Sequence, residues 1–407
     1  MSTAPPYQSF ASFARVSDGF VLSVLCKRSY AWDASGTVTP LAEQPPLSLD
    51  VVRAQREDRN GEMLTQGRDV WPLKLATDVI VTGRAHAPGG VRTREFDVAV
   101  SVGDEQRRIV AVGPRFVEQR GSGRIGFSLP ERMDSVELSW WNAYGGIDPT
   151  VLPAGVQDTP AFLGKPTLEL FPGAYPRNPC GLGYLIADTP QLLDGLALPL
   201  LEQASQRLTP ESLLVRDPKE WWRRPLPAGF GWCHSLWFPR LVHAGGRPYH
   251  LPPPPQPGAV LAEFALGLIS EAQLRDPEAR LPNPRMTNEA APEMVFPFLS
   301  GEEHVSLVGF SPDGVQSFEL PRDRPSVSAL AAGASLSPLG SYLHTLAIDA
   351  DARSFYLLIS TRFLVTGDLA ADLSDGDPID EILEQCEVRV GGEVLSREQW
   401  PSALEEE

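Results

Sequence analysis

At 407 residues the chain is long enough for two or three domains of ordinary size, each with its own hydrophobic core. Apolar residues make up 42% and charged residues 21%, while 40 Pro and 35 Gly favour β architecture with long connections over helix bundles. The formal net charge of −17 disfavours nucleic acid and anionic lipid as partners, because residues 367–407 alone hold 13 acidic residues and two Arg, a local net charge of −11.

The first 150 residues alternate between apolar and polar positions, which predicts an N-terminal β domain over residues 1–150. Strands are expected over three runs: Gly19–Asp33, Asp78–Pro88 and 135–141. Residues 96–118 predict a hairpin that turns at Gly103-Asp104. The polar stretch between Leu47 and Leu75 is expected to be a long loop with one helical turn.

The organisation changes over residues 151–290, where punctuation by Pro is too frequent for long regular elements. Residues 251–300 hold ten Pro, and residues 140–237 hold six of the nine Trp. Such a region is either a disordered linker or a packed, irregular mantle, and its Trp content favours the mantle. Apolar positions at helical spacing predict one amphipathic helix over residues 261–274.

Strand patterns resume in the last block, which predicts a C-terminal β domain with an acidic tail over residues 291–407. The run 304–321 predicts a hairpin with its turn at Pro312-Asp313-Gly314, and two further strands follow, at 343–349 and 354–367. A short helix is expected to begin at Asp377-Pro378. The fold class is therefore mainly β, with two antiparallel, sandwich-like blocks that are also able to pack together as one body.

The segment Gly121-Ser-Gly-Arg-Ile-Gly126 has the letters of a dinucleotide-binding fingerprint, G-x-G-x-x-G. That fingerprint needs a helix directly after the glycines, whose free N–H groups bind the pyrophosphate. Here Pro130 interrupts the first possible turn, and a strand pattern resumes at Val136. The segment is therefore expected to connect two strands, and no cofactor is predicted.

No other catalytic motif is present: the chain has no G-x-S-x-G, no Walker A sequence, no H-E-x-x-H and no C-x-x-C. Cys233-His234-Ser235 places reactive types side by side, but neighbours on an extended chain point to opposite faces, which favours a core cysteine beside a surface histidine. No metal ligand set is predicted. The alternative function left open is a hydrolase or carbohydrate-active enzyme on a β scaffold, with a carboxylate pair that only the fold brings together.

The cysteines and the apolar segments bear on the compartment. The four cysteines are isolated in the sequence and are expected to be buried free thiols, as in a reducing environment: Cys26, Cys180, Cys233 and Cys386. The N-terminus has neither the basic nor the apolar region of a signal peptide, and no run of apolar residues is long enough to span a membrane. A cytoplasmic protein is predicted.

Three stretches combine aromatic residues with closely spaced glycines: Trp140 to Asp148, Arg177 to Tyr184 and Pro227 to Arg240. The glycines are expected to supply positive φ or close backbone approach. The aromatic residues either pack in a core beneath tight turns or form a rigid groove that grips an apolar or Pro-rich partner segment. For the second case the candidate anchors are Trp141, Tyr144, Tyr184, Trp232, Trp237 and Arg240.

Taken in order, the motifs of the chain resemble a bacterial family first catalogued as a domain of unknown function, over roughly residues 10 to 367. The resemblance is carried by these motifs: Lys27-Arg-Ser-Tyr-Ala-Trp32, Asp78 to Gly90, Ala143-Tyr-Gly-Gly-Ile-Asp148, Asn178-Pro-Cys-Gly-Leu-Gly183, Pro227 to Gly231, Trp237-Phe-Pro-Arg240, Asn283-Pro-Arg285, Ala290-Ala-Pro292, Gly301-Glu-Glu303 and Leu307 to Pro321. Two departures are the segment 243–258, where the family usually carries aromatic and acidic residues, and the long acidic tail.

Members of that family are often encoded beside type VI secretion spike genes and toxic effectors. The resemblance implies a non-enzymatic adaptor or chaperone that holds a toxic effector in the producing cell. It implies as partners the secreted effector and a VgrG-like spike-tip protein or its associated tip domain. A further possibility is a structural part of the secreted particle itself.

Overall fold

The computed structural model describes residues 7–16, 19–57, 62–148, 173–187, 189–214, 224–233, 287–365 and 386–400. Within these ranges the protein is mainly β, as predicted, with several antiparallel sheets and few short helices. The strands are β1 (Gln8–Val16), β2 (Gly19–Trp32), β3 (Val38–Pro40), β4 (Val52–Gln55), β5 (Glu62–Gln66), β6 (Thr77–Thr82), β7 (Arg84–His86), β8 (Glu95–Val102), β9 (Glu105–Val112), β10 (Val117–Arg120), β11 (Arg124–Phe127), β12 (Ser135–Glu137), β13 (Tyr144–Gly145), β14 (Leu182–Gly183), β15 (Leu201–Gln203), β16 (Val295–Phe296), β17 (His304–Val308), β18 (Gln316–Glu319), β19 (Val327–Ala331), β20 (Ala334–Ser335), β21 (Pro338–Asp349), β22 (Ser354–Val365), β23 (Cys386–Val390) and β24 (Glu393–Val394).

The helices among the described residues are each a single turn. They are α1 (Pro210–Leu213) and 3₁₀ turns at Pro88–Gly90, Gly121–Gly123, Trp140–Asn142, Pro190–Leu193, Pro292–Met294 and Arg397–Gln399. Thr209 caps α1 reciprocally with Ser212, and Pro210 lies in the first turn, which together explain why so short a helix forms here. No helix in the described ranges has the length and apolar character needed to cross a membrane.

The largest sheet has seven strands, in the order β1-β2-β22-β21-β6-β16, with β3 paired to the end of β2. β2 pairs antiparallel with β22 along their length, from Phe20 opposite Val365 to Ala31 opposite Ser354. β6 pairs parallel with β21. Strands of the first and last blocks therefore share one sheet, and the division of the chain at residues 150 and 290 stays a prediction.

A five-stranded sheet, β15-β9-β8-β17-β18, packs against one half of this large sheet. Trp32 of β2 stacks on Phe318 of β18, with ring centroids 4.5 Å apart, and Phe318 stacks in turn on Phe355 of β22 at 4.8 Å. The two sheets share one apolar core, so the predicted sandwich-like packing is confirmed. Both predicted hairpins are present in this sheet, as β8–β9 and β17–β18.

A four-stranded sheet, β20-β19-β23-β24, covers the other half of the same face. Its core includes Leu22 and Val24 of β2 and Phe363 of β22, and Trp400 stacks on Phe13 of β1 at 5.9 Å. Because side chains alternate along a strand, Leu22, Val24 and Cys26 of β2 point into one apolar core and Tyr30 and Trp32 into the other, while the odd-numbered positions point to the opposite face.

That opposite face, called the polar face below, carries buried polar side chains beside Val21 and Leu25: Ser23, Lys27 and Ser29 of β2 are each at most 5% exposed. Residues 44–46 and 69–74 run across it and form hydrogen bonds with it. Gln44 exchanges hydrogen bonds with both backbone groups of Ser29, at 2.6 and 3.1 Å, and the Ser23 hydroxyl donates to the carbonyl of Pro72. The main sheet is therefore covered by apolar sheets on one side and by an irregular polar segment on the other.

The structure corrects one expectation, that of a loop with a helical turn between Leu47 and Leu75. In the described parts of this stretch, residues 47–57 and 62–75, β4 and β5 pair as antiparallel strands from Val52 opposite Gln66 to Gln55 opposite Glu62, and no helical turn occurs. Polar residues alternate there with Ala54 and Met63, which belong to an apolar cluster around Trp140. The helices predicted at 261–274 and from Asp377 lie outside the described residues.

The glycine motif at residues 121–126 forms the turn between β10 and β11, which pair antiparallel from Val117 opposite Phe127 to Arg120 opposite Arg124. A strand, not a helix, follows the glycines. The expected strand-to-strand connection is thus confirmed.

Candidate functional site

The polar face of the seven-stranded sheet holds a layer of buried charged side chains. The layer consists of six side chains, each at most 8% exposed: Lys27, Asp69, Lys74, Asp78, Glu289 and Arg362. Three of them are basic and three are acidic, so their formal charges sum to zero. Several come from the motifs that carry the family resemblance or lie next to them, since Lys27 opens the first motif, Asp78 opens the second and Glu289 precedes Ala290-Ala-Pro292.

The first ion pair lies between β2 and the segment that crosses it. Lys27 Nζ donates to Asp69 Oδ2 at 2.8 Å and to the carbonyl of Pro46 at 3.0 Å, and it lies 4.2 Å from the centre of the Tyr356 ring. Asp69 also accepts from the backbone N–H of Ser48 at 2.8 Å and from the Tyr356 hydroxyl at 3.0 Å. Burial and the neighbouring Asp69 carboxylate raise the pKa of Tyr356, so this hydroxyl stays protonated as the donor.

The second centre is Lys74, which is fully buried between three acceptors. Its Nζ lies 2.6 Å from Asp78 Oδ2, 3.2 Å from Thr345 Oγ1 and 3.8 Å from Glu289 Oε2. Asp78 accepts in addition from the Asn288 side-chain amide at 2.9 Å and from the Glu289 backbone N–H at 2.8 Å. The start of β6 is therefore tied to residues 288–289, which are far away in the sequence.

Arg362 and His344 complete the layer on β22 and β21. Arg362 Nη2 donates to the Lys74 carbonyl at 2.5 Å and to His344 Nε2 at 2.7 Å, and its guanidinium lies 4.5 Å from the Tyr342 ring centre. Burial lowers the pKa of Arg362 to about 10, and burial lowers the pKa of His344 well below 6.5, aided by the positive charges of Arg362 and Lys74. Because Nε2 accepts from Arg362, the neutral imidazole carries its proton on Nδ1.

The choice of lysine at two of these positions is informative, because the chain has only four Lys beside 31 Arg. A compact ammonium group with three N–H donors fits three acceptors that converge from different directions, as around Lys74. A planar guanidinium is larger and directs its donors into one plane. The geometry around Lys74 therefore favours Lys over Arg, the basic residue that the chain uses most.

The aromatic and glycine motifs form a second cluster that adjoins this layer at Glu289. The Glu289 carbonyl accepts from the backbone N–H of Cys233 at 2.8 Å. Trp140 Nε1 donates to the carbonyl of the preceding residue, Trp232, at 2.7 Å, and the Asn178 amide donates to the Trp140 carbonyl at 2.8 Å. A Cβ at Gly67 would lie 2.5 Å from the Trp232 ring, so only glycine fits between this ring and Glu289.

The glycines at 145 and 181 allow two backbones to touch. Gly145 has φ +150°, and a Cβ there would lie 2.1 Å from the Asn178 carbonyl oxygen. A Cβ at Gly181 would lie 2.6 Å from the carbonyl oxygen of Ala143. Both distances are far below contact, which confirms the expectation of positive φ or close backbone approach at these motifs.

Three tyrosines pack beneath those turns, with Tyr144 and Tyr184 each 5.2 Å from Tyr175 between ring centres. The Tyr175 hydroxyl donates to the carbonyl of Pro225 at 2.8 Å. Burial lowers the pKa of Arg224, which lies among these rings, and burial raises the pKa of Tyr175 to about 12. The cluster holds residues 173–187 and residues 224–233 against each other.

The structure places four of the six candidate anchors in the interior. Each of the four is at most 6% exposed: Trp141, Tyr144, Tyr184 and Trp232. Their rings pack in a core, which was the alternative to a groove for a partner. Trp237 and Arg240 lie outside the described residues. The four buried rings offer no surface for a partner in this conformation, and a role in partner binding stays a prediction for all six.

The charged layer was not singled out from the sequence, although a signal for it exists. Lys27 and Lys74 each interrupt an apolar run, VLCKRSY and PLKLAT, where an unpaired charge would be costly. The layer brings together one carboxylate pair, Asp78 and Glu289, but both are buried and both contact Lys74. Across the described ranges, no three or more His, Cys, Asp and Glu side chains are grouped so that they could hold a metal ion. The four cysteines are buried and free, as expected.

Comparison with known proteins gives one match. The model of a bacterial family described as "Uncharacterized protein conserved in bacteria (DUF2169)" matches residues 18–359. No curated protein and no solved structure matches the chain.

The first prediction concerns the Lys27–Asp69 pair. Lys27→Met should lower the free energy of unfolding by ~3–5 kcal/mol, because it leaves the Asp69 carboxylate buried without its counter-ion. Arg108→Met is the matched control, since the Arg108–Asp97 pair has a similar distance of 2.7 Å but is half exposed, and its loss should cost less than ~1 kcal/mol. Both are measured by denaturant unfolding. Equal costs for the two variants would contradict a special role for the buried pair.

The second prediction concerns His344. Below its ordinary pKa of 6.5 the unfolded chain binds a proton at this residue that the folded chain excludes, so the stability contributed by neutral His344 is complete above pH 6.5 and is lost as the pH falls. The wild type should therefore lose stability between pH 6.5 and 5 more steeply than His344→Asn, by up to ~1.4 kcal/mol per pH unit. Denaturant unfolding at several pH values measures this difference. His304→Asn, which removes an exposed imidazole, is the control, and a slope unchanged in His344→Asn would refute the assignment.

Proposed function

The chain belongs to the DUF2169 family of conserved bacterial proteins, and we propose that it is a non-enzymatic adaptor, or chaperone, for a type VI secretion effector. In this proposal the protein binds the effector in the cytoplasm of the producing cell. It then helps load the effector onto a VgrG-like spike-tip protein, or onto its associated tip domain, and stays behind.

The observation that carries the proposal is how the resembling motifs are used: they build a rigid scaffold with fixed attachment points. The backbone N–H of Asp148 donates to the carbonyl of Gly173 at 2.8 Å, so the residues on either side of 149–172 lie next to each other. The backbone N–H of Cys233 likewise donates to the carbonyl of Glu289 at 2.8 Å, close to both sides of 234–286. Binding proteins often recognise their partners through loops that such a scaffold positions.

The segment between Cys233 and Thr287 is the proposed source of effector specificity. Its residues 243–258 depart from the pattern that the family resemblance implies, with a run of Pro in place of aromatic and acidic residues. The candidate anchors Trp237 and Arg240 lie shortly before residue 243, where this segment begins. These residues lie outside the described ranges, and the proposal for them rests on sequence.

The experiment for the function is co-purification with the effector encoded nearby, combined with a secretion assay. Deletion of this gene should abolish secretion of that effector and leave secretion of the spike proteins unchanged. The adaptor itself should remain in the cell. A metabolic operon around the gene, or continued effector secretion without it, would contradict the proposal, and the protein in the secreted fraction would instead indicate a structural part of the particle.

An alanine series separates anchors from core residues. Trp141, Tyr144, Tyr184 and Trp232 are buried, so their alanine variants should lose ~3–5 kcal/mol of stability. Trp237→Ala and Arg240→Ala are expected to weaken effector co-purification and leave the melting temperature close to that of the wild type. Leu129→Ala is the control, because Leu129 is 69% exposed and should affect neither. Effector binding that survives in both the Trp237 and Arg240 variants would remove these residues from the proposed site.

A further inference from the structure

Lys74, Asp78 and Glu289 form a chemically distinct group within the charged layer. The Lys74 amine lies 2.6 Å from an oxygen of the Asp78 carboxyl group, and a second carboxyl group, that of Glu289, lies 3.8 Å from the same nitrogen. All three side chains are at most 1% exposed. An amine held against a carboxyl group in a site that excludes water is arranged for condensation, since proximity replaces the entropy of encounter and water cannot compete.

We propose that Lys74 and Asp78 become joined by a side-chain amide bond, with Glu289 as the proton carrier. The bond forms between Lys74 Nζ and Asp78 Cγ, and the bond from Cγ to Oδ2 breaks. The ammonium group gives up two protons, which Glu289 accepts and passes on to the departing oxygen, so that Oδ2 leaves as water. Glu289 ends in its starting protonation state, and no oxidant or cofactor takes part.

The surroundings of Asp78 fit this step. Its other oxygen, Oδ1, accepts from the Asn288 side-chain amide at 2.9 Å and from the Ala290 backbone N–H at 3.4 Å. These donors are placed to stabilise the negative charge that develops on Oδ1 when the amine attacks Cγ. The product also relieves an unfavourable state, because an amide in the interior needs hydrogen bonds only, whereas an ion pair must offset the desolvation of two charges.

The second buried pair provides an internal comparison. Lys27 lies 2.8 Å from Asp69, at about the same separation as Lys74 from Asp78. Among the contacts that the structure describes, its other neighbours are the Pro46 carbonyl and the ring of Tyr356, which supply no second carboxylate. Lys27 is therefore expected to remain an ordinary ion pair.

Trypsin digestion followed by mass spectrometry of the purified full-length protein tests the bond. Trypsin cleaves after Arg68, Lys74 and Arg84, so an unlinked chain gives the peptides 69–74 and 75–84. The linked chain should resist cleavage at Lys74 and give one peptide, 69–84. The mass of this peptide should be lower, by one water molecule, than that of the linear peptide of the same residues. That peptide should yield no backbone fragment ions between residues 74 and 78. Cleavage after Lys27 in the same digest should be normal.

Glu289→Gln keeps the size of the side chain and should prevent the bond, with folding checked by circular dichroism. Normal cleavage after Lys74 together with an undiminished intact mass in the wild type would overturn the proposal. Loss of one water molecule with normal cleavage after Lys74 would also overturn it, because that result indicates a succinimide. Fragment ions that place the link at Asp69 would overturn it as well. A bond that still forms in folded Glu289→Gln would overturn the role of Glu289.

Discussion

Burial of charge on one face of the seven-stranded sheet is the constraint on which the rest of the structure depends. An isolated charge in the interior is very costly, so each of the three cations must meet an anion or a set of acceptors. Asp78 lies four positions after Lys74, but Asp69 and Glu289 come from parts of the chain that are distant from the lysines they contact. Residues 69–74 and 288–289 are therefore held in place by the need to give Lys27 and Lys74 their anionic partners, while Arg362 donates to the Lys74 carbonyl and to His344.

The aromatic cluster depends on the same constraint. Glu289 contacts Lys74 through its carboxylate and Cys233 through its backbone carbonyl. Because Trp232 is the residue before Cys233, its position follows from that of the charged layer. Trp140 then binds the Trp232 carbonyl, and Asn178 binds Trp140. Glycines at 67, 145 and 181 are required because the backbone at each position lies closer to a neighbouring side chain or carbonyl than a Cβ permits. The two clusters form one continuous support from β2 to the β13–β14 turns.

This arrangement gives the motifs a structural role that is compatible with the proposed adaptor function. Residues that a sequence comparison would select as functional, such as Tyr144 and Trp232, are buried and support the scaffold. In the proposed function, loops that this scaffold positions recognise the partner. A covalent bond at Lys74 would strengthen the same support where Lys74 meets Asp78, Thr345 and Glu289.

The sequence by itself determined the strands, because alternation and turn chemistry are local: β2, the β8–β9 and β17–β18 hairpins and the strand connection at 121–126 all follow from neighbouring residues. It also indicated that glycines such as Gly145 serve close approach. Alternation failed for β4 and β5, whose mixed polarity reflects packing on Trp140. Only the tertiary structure decided that four candidate anchors are buried: Trp141, Tyr144, Tyr184 and Trp232. It alone also decided that Lys74 meets Glu289 as well as Asp78. The reason is that burial and ion pairing depend on contacts between residues that are far apart in the sequence, as Lys74 and Glu289 are.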